Sequence, residues 1–100
     1  MPVNGSYFPF TEEQLQSVPD SPGVYELEAD GEVLYVGMAQ DSIRAHLQAH
    51  LVGSYVLCAK EAKRARVETH PVPPKRLREL LRENLLSHGR LPKCNSGGPR

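Results

Sequence analysis

Apolar and polar residues alternate on both sides of Asp30 and Gly31, as "VYEL" over residues 24–27 and "EVLYV" over residues 32–36. Alternation with period two is the mark of a half-buried strand, and Asp-Gly between two such runs predicts a β-hairpin. The length of the turn decides which side chains share a face. A two-residue loop at Asp30 and Gly31 opposes Tyr25 to Val36 and separates Tyr25 and Tyr35 onto opposite faces. A three-residue loop over residues 29–31, with Gly31 left-handed in a bulge, pairs Tyr25 with Tyr35, Gly23 with Gly37 and Leu27 with Val33. The second register is favoured because it brings like residues together, with Val24, Leu34 and Val36 on the other face.

Outside the hairpin the pattern changes period. Thr11 followed by Gln14 forms a capping box for a short helix over residues 12–17, a lid on the core that Pro19 and the "DSPG" turn end. Asp41 or Ser42 caps a helix to about Leu51, with Ile43, Leu47 and Leu51 as its apolar stripe and Gly53 at its end. Residues 54–64 fit a short strand or a helix. Residues 65–72 predict a third strand. Pro73 and Pro74 open a helix over about residues 75–88, with Leu77, Leu80, Leu81 and Leu85 on one side and Gly89 past its end. The order predicts an α/β chain of the α+β type: a small three-stranded mixed sheet bearing the tyrosine hairpin, flanked by helices. An amino-terminal segment, residues 1–21, precedes one domain over residues 22–95, and the tail 96–100 is expected to be disordered.

Composition changes this picture little. One hundred residues suit one domain with a modest core. The formal net charge of zero hides an asymmetry: residues 1–50 carry eight acids and one base, Arg44, whereas residues 51–100 carry eleven bases and four acids. Cys58 and Cys94 are far apart and form no CxxC pair, so they read as free thiols, the usual state in a cytosol. No apolar run approaches the roughly 18 residues of a membrane span, and the amino terminus has no secretory pattern. A soluble, cytoplasmic protein is expected.

"GVY" and "YVG", ten residues apart from Tyr25 to Tyr35, resemble the paired motifs of the GIY-YIG endonuclease family. "DSIRAHLQAHL" is similar to that family's first core helix, and "ENLLSHGRLPKCN" to its carboxyl-terminal glutamate helix with closing proline and asparagine. This last part is particularly similar to the amino-terminal nuclease domain of the bacterial excision-repair incision enzyme. The resemblance implies a nuclease that binds nucleic acid, DNA before RNA, and hydrolyses phosphodiester bonds with Mg²⁺ or Mn²⁺. Carried over by position, Tyr25 is the general base or water orienter and Tyr35 its support. Glu83 is the metal ligand, Asn95 buttresses the site, and Gly23 and Gly37 keep the backbone clear beside the tyrosines. In the family's "SLRxRLxxH" run the second arginine falls at His46, so this chain substitutes a part-time cation for a permanent one.

The residues themselves leave other readings open. A tyrosine hydroxyl with a pKa of about 10 becomes a base at neutral pH only where a cation favours phenolate, and paired strand tyrosines also pack for stability alone. Glu83, between Leu80 and Leu86 on the helix, is either a partly covered carboxylate or a solvated one among arginines. His46 and His50 share a helical face at the spacing of two metal ligands, without a third. Arg44 and, in the basic half, Arg76, Arg78 and Arg82 are the candidate phosphate contacts. A non-catalytic binding module, or an interaction domain that uses the tyrosines only as core, remains the alternative to a nuclease.

Overall fold

The computed structural model describes residues 5–53 and 57–95 of the chain. Four strands, β1 (Phe8–Pro9), β2 (Gly23–Ala29), β3 (Glu32–Ala39) and β4 (Arg64–Thr69), form one sheet in the order β1-β4-β2-β3. Every pairing is antiparallel. The three-stranded mixed sheet expected from the sequence is corrected on both counts. β1 has only two residues, too short for alternation to reveal it. β3 and β4 flank β2 and both run against it, so no parallel pair forms.

Three α-helices pack on this sheet: α1 (Glu12–Leu15), α2 (Ile43–Leu51) and α3 (Pro73–His88). Thr11 caps α1 by accepting from the Gln14 N–H, and Ser42 caps α2 by accepting from the Ala45 N–H at 3.1 Å. Pro73 and Pro74 occupy the first turn of α3, where a missing N–H costs no helical bond. Gly89 ends α3 at φ 73, its N–H donating to the Leu85 carbonyl. The ambiguous segment contains a 3-10 helix at Leu57–Glu61. The tail 96–100 lies outside the described residues.

The hairpin register differs from both loops considered. Asp30 and Gly31 form a two-residue turn, with φ of 55 and 81 and Ala29 opposite Glu32. A bulge follows at once: Glu28 pairs with Val33, but Leu27 pairs with Tyr35, so Leu34 is an extra residue in β3. The extra residue restores the parity that the short turn would have broken. Tyr25 therefore opposes Gly37 rather than Tyr35, yet both tyrosines share one face as diagonal neighbours. Leu34 turns to the tyrosine face, which corrects its expected grouping with Val24 and Val36.

β2 is buried on both faces because the sheet has cover on each side of it. On one face Tyr25 and Leu27 pack with Leu15 and Val18 of the amino-terminal segment and with Ile43 and Leu47 of α2. On the other, Val24 and Val36 meet Leu80 of α3, flanked by the partly buried Leu77 and Leu81. Burying each such side chain contributes about 1.5–3 kcal/mol. Leu85, expected on the packed side, is half exposed.

The carboxyl-terminal segment completes the edge of β3. The Cys94 N–H donates to the Leu34 carbonyl, and the Asn95 side chain grips Val36 through two 2.9 Å bonds, one from the Val36 N–H and one to its carbonyl. Cys94 is also joined to Cys58 of the 3-10 helix by a disulfide. The expected free thiols are thus corrected. Thirty-six residues separate the two cysteines, and only the folded edge of β3 brings them together.

Candidate active site

The tyrosine face of the hairpin meets α2 in a cluster of four rings. Tyr25, with no exposed surface, lies with its hydroxyl 2.7 Å from Nε2 of His50, a hydrogen bond whose donor depends on the imidazole tautomer. Ring centroids lie 6.2 Å apart for Tyr25 and Tyr35, 5.3 Å for His50 with either tyrosine, and 6.5 Å for Tyr25 and His46. Tyr35 is half-buried and His46 is 30% exposed, so one tyrosine and one histidine reach the surface while Tyr25 and His50 form the floor.

Gly37 is a requirement of this packing. A Cβ there would stand 2.6 Å from Cζ and the hydroxyl of Tyr25 and 2.7 Å from Cε2 of Tyr35. Gly23 is constrained from the other end of β2, where a Cβ would fall 2.2 Å from the Glu68 carbonyl oxygen and 2.6 Å from Cδ1 of Ile43. Each glycine therefore lets a neighbour approach, one the two rings and the other β4 and α2.

Burial, and secondarily the neighbouring His46, lowers the pKa of His50 to about 4. Its imidazole is therefore neutral at pH 7 and able to accept from the Tyr25 hydroxyl without becoming a cation. His46 Nε2 stands 3.6 Å from Oδ1 of Asp41, at the surface end of the cluster. His50 is the residue that reasoning from the sequence missed as a partner of Tyr25. Its signal was present, since the closing histidine of the family's helix run falls on it.

The other expected site residues reach this cluster only in part. Asn95 is fixed beside Tyr35 through its grip on Val36. Glu83 is half-buried on α3, one turn beyond Leu80, which packs on Val36 from the opposite side of the sheet. Arg78 and Arg82 are exposed. Arg44 donates from Nε to the Val18 carbonyl at 2.8 Å and so fastens α2 to the segment after α1. Arg76 is buried, its guanidinium donating to both oxygens of Glu68, at 2.8 and 3.1 Å, and to Glu79 at 3.3 Å. The residue expected to contact phosphate thus has its guanidinium engaged in an internal ion pair.

Arg64 and Arg66 are likewise occupied, by the buried carboxylates of Glu28 and Glu26 on the neighbouring strand. Tyr7 lies beneath both guanidiniums, 4.7 and 4.5 Å from its ring centroid, and donates to Glu26 at 3.0 Å. Burial and then the Glu26 charge raise the Tyr7 pKa to about 12. Much of the basic half is thus spent on the acidic half across β2 and β4. Among the described residues no three His, Cys, Asp or Glu side chains converge on a point that could hold a metal ion, and no helix is long and apolar enough to cross a membrane.

The fold is that of the GIY-YIG nucleases. It is similar to the GIY-YIG N-terminal endonuclease domain of UvrC from Thermotoga maritima bound to its catalytic divalent cation, magnesium, with a TM-score of 0.59 and 20% identity over 83% of this chain and 92% of that one. A tyrosine-to-phenylalanine variant of that domain aligns at a TM-score of 0.60 and 19% identity, covering 85% and 93%. An asparagine-to-alanine variant aligns at 0.59 and 19%, covering 88% and 93%. No curated protein matches the chain. A family model described as a domain of unknown function, DUF7508, matches residues 1–85, and the chain belongs to that family.

Proposed function

We propose that this domain binds DNA and hydrolyses its phosphodiester bonds with a divalent cation, Mg²⁺ or Mn²⁺. The observation that carries the reading is the 2.7 Å bond between buried Tyr25 and neutral His50 beneath the half-exposed Tyr35. Tyr25 has no surface from which to meet a substrate, so the roles expected for the two tyrosines exchange. Tyr35 orients or deprotonates the attacking water, and Tyr25, held by His50, fixes the ring beside it. A positioned base of this kind contributes about 10²- to 10⁴-fold in rate.

His46 supplies positive charge at the exposed rim when protonated, with Asp41 3.6 Å away. Asn95 keeps Val36, and with it Tyr35, in register. Glu83 is the residue that would hold the cation. A single carboxylate suits Mg²⁺, which keeps several of its waters, and does not suit zinc, which needs three or four protein ligands. When bound, such a cation polarises a phosphoryl oxygen and lowers the pKa of a bound water. Arg78 and Arg82, on the outward side of α3, contribute salt-dependent contacts to phosphate. A cytoplasmic role in DNA repair belongs to the same reading and rests on likeness alone.

One observation favours a binding module without chemistry: His46 stands where the family has an arginine. Nicked, branched and single-stranded DNA incubated with Mn²⁺ or Mg²⁺ separates the two. Metal-dependent cutting that Glu83→Ala abolishes supports the nuclease. Salt-dependent binding with no cutting, unchanged by Glu83→Ala, leaves the binding module. No binding at low salt removes both.

A further inference from the structure

The two cysteines join the segments that border the tyrosine cluster. Cys58 lies in the 3-10 helix, which packs against α2, the carrier of His46 and His50, and against β3, the carrier of Tyr35. Cys94 immediately precedes Asn95, the residue that grips Val36. Residues 91–95 are also fastened to β3 by the Cys94 N–H bond to Leu34 and the two Asn95 bonds. Cys58 is exposed, whereas Cys94 is 3% exposed. Disulfides that solvent can reach are the more readily reduced, regulatory ones, which suits this asymmetry.

We propose that Cys58–Cys94 is a redox latch: oxidised, it clamps residues 91–95 along the outer edge of β3, and its reduction releases Asn95 from Val36 and loosens the tyrosine site. A thiolate of a dithiol reductant attacks the sulfur of Cys58, the exposed residue of the pair, breaking the S–S bond and forming a mixed disulfide. Cys94 leaves as thiolate and takes a proton. The second thiol of the reductant then displaces Cys58, which is also protonated, and departs as part of a cyclic disulfide. Two electrons and two protons pass to the protein. That the loosened site cuts less well rests on the nuclease reading; the release of the strap does not.

Native-state hydrogen exchange on the oxidised protein, on the dithiothreitol-reduced protein with both thiols titrated, and on Cys58→Ser tests the latch. On reduction the Val36 amide, bonded to Asn95, should speed up at least about tenfold more than the amides of β2, which share only the general loss of stability, and reoxidation should restore the slow rate. An unchanged Val36 rate overturns the latch. Equal acceleration across the whole sheet overturns it too, because the bond would then hold the fold rather than the strap. The reduced wild type answers the question even if Cys58→Ser does not fold. A latch that opens in a protein that cuts nothing in either state contradicts the nuclease reading and leaves the latch standing.

Discussion

Acid should unfold this protein through one imidazole before it does so through carboxylates. His50 is 1% exposed, and its pKa falls from 6.5 to about 4 on folding. A group whose pKa is lower in the folded state takes up its proton first in the unfolded chain. The stability of the folded state is therefore full above pH 6.5 and declines as the pH falls through the window down to about 4. Two and a half pH units at about 1.36 kcal/mol each set the loss at about 3 kcal/mol by pH 4. That is a large share of the roughly 5–15 kcal/mol that holds a small domain together. Glu28 adds to the decline as the pH falls through the ordinary carboxylate value and below it, because its bonds to Arg64 depress its pKa. Urea unfolding at pH 7, 6, 5 and 4.5, under oxidising conditions, measures the wild type against His50→Gln, which keeps an acceptor for Tyr25 but does not titrate. The wild type should lose stability between pH 6.5 and 4.5 while the variant stays nearly level. Parallel lines would refute the burial of a neutral imidazole against Tyr25.

Three further outcomes follow from the packing. Gly37→Ala forces a methyl against both tyrosine rings and should cost about 1–3 kcal/mol as an overpacked core does, read by chemical denaturation; an unchanged midpoint would mean that the rings do not meet at Gly37. Reducing the disulfide, which closes a separation of 36 residues, should lower stability by up to about 4 kcal/mol on loop entropy, and a melting temperature that does not move would deny the bond's presence in solution. His46→Arg places a permanent charge at the rim and should raise cleavage by as much as a hundredfold, the order of one transition-state charge contact; slower cutting than the wild type would count against His46 as the arginine's stand-in.

The hairpin, both longer helices and the shared face of the tyrosines were legible because they rest on periodicity and capping, which are local. The register was not, since it depends on Leu34 bulging out of β3, and an ordinary leucine carries no bulge signal as a glycine would. Parity was recovered only because two errors cancelled: the turn is one residue shorter than expected, and the bulge adds that residue back. Arg76 looked available because its partner Glu68 is on β4 and becomes a neighbour only when α3 lies across the sheet. The disulfide was invisible for the same reason. Its cysteines meet through the fold and share no spacing motif. His50 was within reach, because the closing histidine of the family's helix run falls on it. Charge asymmetry was read correctly as a property of the chain and overestimated as a surface for phosphate, because Arg64, Arg66 and Arg76 are neutralised internally.

The role of the two tyrosines is the point on which the proposed chemistry turns, and single phenylalanine substitutions measure it. Cleavage of nicked and branched DNA with Mn²⁺ should fall by about 10²- to 10⁴-fold in Tyr35→Phe, whose ring remains but whose hydroxyl can no longer meet water. Tyr25→Phe should act mainly on stability, by about 1–3 kcal/mol, through the lost bond to His50. Tyr35→Phe cutting as fast as the wild type, or a wild type that cuts nothing with either metal, would contradict phosphodiester hydrolysis at this site.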